Sequence, residues 1–208
     1  MFVYLKAHDR SKNVLDDRMP MVNESQFIKA DWTEFYRDAE EAIPPNAPEP
    51  KGNSGLVSCF VDADHAGKKI IRRLHTGIII FINCAPIVWF SKKQNTLESS
   101  TFGSAFIAAR IAVDLIEALC YKLRMFGVLI DDPTNLYCDN EAVVTNSSHP
   151  ESQIKKKYNA IAYHHVKEAV AAGIICIGKE DSKSNIADML AKPLPSEQLK
   201  NLCQRCMY

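Results

Sequence analysis

The chain has 208 residues, of which 47% are hydrophobic and 24% charged, and its 25 Lys and Arg balance 25 Asp and Glu. This composition is that of an ordinary globular protein, and the length favours one domain or one and a half. The zero net charge argues against a strongly basic nucleic-acid module and against an acidic solvating tail as properties of the whole chain.

Signals for secretion, membrane insertion and disulfide bonding are missing from the sequence. The most apolar stretch, residues 78–90, is interrupted by Asn83 and Pro86 and is too short to span a bilayer. The N-terminus has no secretion signal and the seven cysteines are scattered, so we expect an intracellular protein, cytoplasmic or nuclear, with reduced thiols. Cys203 and Cys206 lack the second ligand pair of structural zinc and are interpreted as incidental cysteines on a terminal helix.

The balanced charge averages two unlike parts of the chain. Residues 1–51 carry seven Lys and Arg against ten Asp and Glu, whereas residues 52–208 carry 18 against 15. The run 43–55 is rich in Pro, Gly and Asn and is typical of a linker. Three aromatic side chains before it are expected to dock on the following domain or on a partner outside this chain: Trp32, Phe35 and Tyr36.

The hydrophobic pattern becomes regular after the linker. Apolar, β-branched and aromatic runs predict three successive strands at 56–61, 76–82 and 87–90, with Trp89 and Phe90 assigned to the core. From Phe102, apolar residues recur at alternating spacings of four and three. This period predicts a long amphipathic helix that ends at Gly127.

The rest of the chain alternates between strand and helix. The predicted elements are a strand at 136–138, helices at 141–147 and 158–172, a strand at 174–177, and a last helix from Ile186 that Asn185 caps. The three opening strands favour an antiparallel meander, and the strand–helix–strand passages favour parallel crossovers. We therefore expect an α/β fold with a mixed five-stranded sheet and helices packed on it.

Three carboxylates stand at the ends of predicted elements. Asp62 ends the first strand, Asp139 ends the fourth, and Asp188 lies early in the last helix. Buried carboxylates are costly unless they are paired or bind a cation, and several that converge suit Mg²⁺. Each also has a local explanation, because Asp favours turns and the positive ends of helix dipoles. The spacing alone leaves both interpretations open.

Six short motifs identify a family resemblance over residues 56–195. In order and spacing they resemble the ribonuclease H (RNase H) domain of copia-type LTR retrotransposon Pol polyproteins. The motifs are Cys59–Gly67, Arg72–Gly77, Val88–Gln94, Ser99–Thr101, Tyr137–Asn140 and Ala187–Pro193. Residues 1–51 resemble the segment that joins reverse transcriptase to that domain.

The resemblance implies a domain organisation for the chain. We expect a partly flexible connector at 1–51, an RNase H-like domain at 52–195 and a C-terminal tail at 196–208. The chain would then be a Pol fragment whose Met1 falls downstream of the polymerase. Its implied partners are an RNA–DNA hybrid and the reverse transcriptase portion of the parent polyprotein, and not a membrane.

The resemblance also implies a chemistry, from which the sequence departs at one position. The family cleaves the RNA strand of a hybrid with four acidic residues and two Mg²⁺ ions, with Mn²⁺ as an alternative. Asp62, Asp139 and Asp188 match the first, third and fourth acids, whereas Ala105 stands where the second, a Glu, is expected. A methyl group cannot ligate a cation, so we expect one weakened metal site and greatly reduced or absent activity.

Few other carboxylates are placed to replace the missing Glu. Asp114 and Glu117 lie roughly 14–18 Å from Ala105 along the helix axis, and Glu98 precedes the helix. Only water or Glu141 could take the place of the missing ligand, and we do not expect either to restore the site. Two functions stay open: an RNase H with an incomplete acidic site, and a non-catalytic nucleic-acid-binding or degenerate remnant of that domain.

Basic residues near the motifs are candidates for contacts with backbone phosphates, which would give salt-dependent and shape-dependent binding. They are Lys68, Arg72, Arg73, Lys92 and Lys93. The lysine run 155–157 is equally well explained as a solvated loop. His164 and His165 are assigned core or surface roles, and His65 and His75 structural or substrate-side roles.

Overall fold

Five strands form one mixed sheet in the computed structural model, which describes residues 15–64, 75–94, 101–154 and 159–206. Their order across the sheet is β3-β2-β1-β4-β5. The pairs β1–β2 and β2–β3 are antiparallel, and the pairs β1–β4 and β4–β5 are parallel. The predicted α/β class and mixed sheet are confirmed. The strands are β1 (Val57–Asp64), β2 (His75–Ile82), β3 (Ala85–Lys93), β4 (Thr134–Cys138) and β5 (Ile175–Lys179).

Five α-helices accompany the sheet within the described ranges, and none of them is both long and apolar enough to cross a membrane. The last predicted helix begins at Asp188, two residues later than expected, and is a single short turn. The C-terminal segment, expected as a tail, contains a further helix that includes Cys203, which was assigned to a terminal helix, whereas Cys206 follows its end. The helices are α1 (Thr101–Met125), α2 (Glu141–Ser148), α3 (Ala160–Ala171), α4 (Asp188–Ala191) and α5 (Ser196–Cys203).

Hydrophobic side chains cover both faces of the sheet, because successive strand residues point to opposite sides. The larger core joins one face to α1, α2 and α3, with Cys59 and Val61 of β1 among its members. The smaller core covers the other face, where Phe60 and Tyr137 stack at 4.8 Å between ring centroids and Ala187 packs just before α4. Asp62 lies two residues after Phe60 on β1, so its side chain points to the same face of the sheet, the face on which α4 begins.

The segment before the linker packs on the sheet and on α3. Phe27 lies directly on Gly178 of β5, where an added Cβ would be 2.8 Å from the ring. The Tyr36 hydroxyl is 2.7 Å from His164 Nδ1, and Trp32 packs edge-on against Tyr36. The aromatic side chains were expected to dock either on the following domain or on a partner outside this chain. Trp32 and Tyr36 pack on the following domain, whereas Phe35 is exposed.

The core assignment of Trp89 is wrong. Its side chain is 58% exposed, because β3 is an edge strand of the sheet and its alternate residues face outward. Its neighbour Phe90 is partly buried and packs against the larger core, as predicted. An edge strand and an inner strand share the same β-branched and aromatic composition, so the sequence pattern could not distinguish them.

Candidate metal centre

Three carboxylates from three separate elements meet at one end of the sheet. Asp62 lies near the end of β1, Asp139 directly follows β4, and Asp188 opens α4. Since β1 and β4 are neighbouring parallel strands, their carboxyl ends lie side by side. One oxygen from each of the three carboxylates lies within 4.8 Å of the other two.

The position of Asp139 is fixed by its neighbours in the chain and on β5. Asn140 caps α2, and its side-chain oxygen accepts hydrogen bonds from the backbone N–H groups of Ala142 and Val143. Lys179, paired with Cys138 across the ladder, donates a hydrogen bond to the Asp139 carbonyl. These contacts hold the backbone at the strand end, so the carboxylate enters the cleft from a fixed point.

The position of Asp188 depends on a buried asparagine and on close packing. Asn185 donates from Nδ2 to the Val61 carbonyl at 3.0 Å, and its Oδ1 accepts from the Ala187 N–H at 3.1 Å. This side chain therefore links the turn before α4 to the strand that carries Asp62. The predicted helix cap is wrong, because the helix begins at Asp188 with Ala187 at its N-cap position, and Asn185 instead stabilises the preceding turn.

Two of the carboxylates are buried and share one ammonium group. Asp62 and Asp188 are 5% and 1% exposed. Burial raises the pKa of Asp62 to about 7. The Lys192 ammonium acts in the opposite direction, and repulsion from Asp188 and Asp139 adds to the effect of burial. Burial also raises the pKa of Asp188. Lys192 Nζ lies 3.4 Å from Asp62 Oδ2 and 2.9 Å from Asp188 Oδ1.

The charge of Lys192 is itself reinforced by this position. Burial lowers the pKa of Lys192, but Asp188, Asp62 and Asp139 outweigh burial, and the net pKa is above its ordinary value. Lys192 pairs with both carboxylates, and Asp62 Oδ2 and Asp188 Oδ1 have no other partner of hydrogen-bond geometry among the described residues.

The donor set fits a hard divalent cation. Buried carboxylates carry a desolvation cost that one ammonium shared between two of them offsets only in part, and a bound cation offsets it further. Mg²⁺ and Mn²⁺ favour oxygen ligands of this kind. Asp62, Asp139 and Asp188 are the residues that would hold such an ion.

Asp62 and Asp139 line a cavity of about 240 Å³ that α1 closes on one side. Thr101, Ala105 and Ala108 line it from the helix, so Ala105 borders the same cavity as these two carboxylates. Asp64, two residues after Asp62 on the same strand, also lines the cavity. Asp64 was not predicted as a site residue, although a spacing of two along a strand places its side chain and that of Asp62 on one face.

The other acids considered as replacements do not join the cluster. Glu141 is exposed and opens α2, outside the cavity lining. Asp114 and Glu117 form a separate group with His165 between α1 and α3, in which His165 Nε2 lies 3.0 Å from Asp114 Oδ1. Glu98 lies outside the described residues.

Two of the five candidate basic residues can be located. Lys92 and Lys93 are exposed on β3 and pair with Thr76 and His75 of β2. His75 in turn pairs with Asp64, so both lysines lie at the same end of the sheet as the carboxylates. The other three candidates, Lys68, Arg72 and Arg73, fall outside the described residues. His65 and the lysine run 155–157 also fall outside them.

A mixed sheet with this strand order and with carboxylates at neighbouring strand ends has the RNase H-like fold. The N-terminal RNase H domain of Rv2228c from Mycobacterium tuberculosis superposes with a TM-score of 0.50 at 14% identity, over 73% of this chain and 98% of that chain. This likeness shows the fold. No family model matches the chain.

Curated relatives of the chain are retrovirus-related Pol polyproteins from transposons, which confirms the resemblance seen in the motifs. The chain is 27% identical over 155 residues to the retrovirus-related Pol polyprotein from transposon RE1 of Arabidopsis thaliana. It is 28% identical over 153 residues to the corresponding protein from transposon TNT 1-94 of Nicotiana tabacum. Each match covers 74% of this chain, which spans 11% of the relative's length.

Proposed function

We propose that this chain is a retrotransposon-derived RNase H domain, ancestrally hydrolysing the RNA strand of RNA–DNA hybrids, and that Ala105 greatly reduces this activity here. One observation supports the proposal above all others. One carboxylate oxygen from each of Asp62, Asp139 and Asp188 lies within 4.8 Å of the others, and Ala105 lines the same cavity as Asp62 and Asp139.

The three acids would hold Mg²⁺, or Mn²⁺ in its place. Two such ions, when bound, activate a water and stabilise the leaving oxygen of a phosphodiester. Asp62 and Asp188 contribute buried oxygens whose partner in the described part of the chain is the Lys192 ammonium, and Asp139 contributes a half-buried carboxylate directly after β4. Ala105 supplies no oxygen, so one ion site lacks a direct ligand and binds weakly.

The substrate assignment rests on charge and position. Adjacent strands lie about 4.8 Å apart, so Lys92 and Lys93 on β3 are about 10 Å from β1, which carries Asp62. Lysines at that distance can hold the backbone phosphates of a strand whose scissile bond reaches the acids. We assign the same role to Lys68, Arg72 and Arg73. The reverse transcriptase portion of a parent Pol polyprotein is the proposed partner.

Ala105 itself favours a second function, that of a non-catalytic nucleic-acid-binding remnant. Calorimetric titration of the chain with Mg²⁺ in the presence of a hybrid separates the two. A site competent for hydrolysis binds two ions, whereas a remnant binds one or none.

Hybrid cleavage by matched variants tests the proposal directly. We expect Ala105→Glu to cleave at least about 100-fold faster than the natural chain in Mg²⁺ or Mn²⁺, since it restores a ligand. Ala105→Gln introduces a side chain of nearly the same volume as glutamate but without its charge, so we expect no comparable gain in cleavage. Adding Asp139→Asn to Ala105→Glu should abolish the gain. Equal cleavage by the natural chain and Ala105→Glu would contradict the proposed impairment.

A further inference from the structure

Lys192 occupies an unusual position relative to the acidic cluster. It lies four residues after Asp188, so one helical turn brings its side chain back beside that carboxylate. Its Nζ is 2.9 Å from Asp188 Oδ1 and 3.4 Å from Asp62 Oδ2. Both oxygens are buried and have no other hydrogen-bond partner among the described residues. The ammonium therefore touches the atoms that are best suited to bind a cation.

Two opposing electrostatic effects follow from this geometry. Without a metal, the carboxylates of Asp62 and Asp188 repel each other in a poorly hydrated site, and the ammonium offsets that repulsion. With a divalent cation on the same oxygens, the ammonium and the metal would be like charges a few ångströms apart. By linkage, the ammonium weakens metal binding by the same free energy by which the metal weakens the pairing of the ammonium with the carboxylates.

We propose that Lys192 is an internal counter-cation, which holds Asp62 and Asp188 together when no metal is bound and competes with a divalent cation for them. The inference rests on the proposed function, because it takes the cluster to be a metal site. Ala105 strengthens the competition, since one ammonium neutralises a larger share of three carboxylates than of four.

Calorimetric titration with Mn²⁺ alone tests the competition without any activity assay. We expect Lys192→Met, which keeps the unbranched side chain and removes the charge, to bind Mn²⁺ at least about tenfold more tightly than the natural chain. Lys192→Arg keeps the charge and should bind no more tightly than the natural chain. Lys183→Met is the matched control, because Lys183 is exposed in the loop before α4, and its affinity should change less than about twofold.

Thermal unfolding of the same proteins gives an independent measurement. Metal-free Lys192→Met should unfold at a lower temperature than the natural chain, because the two buried carboxylates lose their counter-ion. Saturating Mn²⁺ should raise its unfolding temperature more than that of the natural chain. If Lys192→Met and Lys192→Gln fold only when Mn²⁺ is added, the proposal is supported; if Mn²⁺ does not restore their folding, it is refuted.

The outcomes separate this inference from the proposed function. Equal Mn²⁺ affinities for the natural chain, Lys192→Met and Lys183→Met would overturn the competition while leaving the metal site in place. Weaker binding by Lys192→Met would also overturn it, because Lys192 would then support the metal. No Mn²⁺ binding by any of the proteins would overturn the metal site itself, and the proposed function with it.

Discussion

Gly77 of β2 lies directly opposite Asp62 of β1 in the antiparallel ladder. A Cβ at Gly77 would lie 2.4 Å from the Ala187 carbonyl oxygen and 2.8 Å from the Ala191 nitrogen. The backbone of α4 therefore rests on bare strand backbone, with no side chain between them. This close approach brings Asp188 to Asp62, and the Ser91 hydroxyl secures it by donating to the Leu190 carbonyl at 2.6 Å.

We expect Gly77→Ala to push α4 away from the sheet. The added methyl group would meet backbone atoms, which cannot move aside as a flexible side chain can, so the substitution should lower the free energy of unfolding by about 1–3 kcal/mol. It should also weaken Mn²⁺ binding, because Asp188 leaves its place beside Asp62. Chemical denaturation and calorimetric titration measure the two effects.

Gly55→Ala is the control for this experiment. A Cβ at Gly55 would make ordinary contacts of 3.7 Å with the side chains of Ile130 and Ile82. Its unfolding free energy and metal affinity should therefore stay close to those of the natural chain. If Gly77→Ala also left both quantities unchanged, close packing at Gly77 would not position the acidic cluster.

The sequence predicted the fold well because its strands and long helix have clear hydrophobic periods. The apolar stripe from Phe102 predicted a helix to Gly127, and α1 runs to Met125. Elements without such a period were harder to predict. Helix α4 is four residues long. Its position depends on close packing against the backbone of Gly77, which lies more than 100 residues earlier in the sequence.

The candidate site was only partly accessible to sequence reasoning. Family motifs pointed to Asp62, Asp139 and Asp188, and the structure places these three together. The ion pairs of Lys192 were missed, because its contact with Asp62 joins elements far apart in the chain. Asp64 was missed although its spacing from Asp62 on a strand was a usable signal.

Lys167 links the segment before the linker to α3. The residue is 2% exposed, and its Nζ donates to the Pro150 carbonyl at 2.7 Å and lies 5.5 Å from the centre of the Trp32 ring. We expect Lys167→Met to lower the free energy of unfolding by about 1–3 kcal/mol, because it keeps most of the side-chain volume but leaves buried carbonyl oxygens without their donor.

Denaturant unfolding of Lys167→Met should be compared with that of Lys122→Met, since Lys122 is exposed on α1. The control removes the same charge from a solvated position and should change stability by less than about 0.5 kcal/mol. Equal effects of the two substitutions would mean that the contacts of Lys167 add nothing to stability beyond those of a surface lysine.

Lys92 and Lys93 extend from the edge strand at the same end of the sheet as the acids, which makes their contribution to hybrid binding measurable through salt dependence. Each phosphate contact that is lost should reduce the slope of log affinity against log salt concentration by roughly 0.7–0.9. We therefore expect a shallower slope for Lys92→Ala and for Lys93→Ala, and a larger reduction for the double variant. Fluorescence anisotropy of a labelled hybrid at several salt concentrations, with Ca²⁺ in place of Mg²⁺ to prevent cleavage, measures these slopes.

Lys122→Ala on α1 is the control, because it removes an exposed charge from another surface. If it reduced the slope as much as Lys92→Ala does, net charge and not this edge of the sheet would govern binding.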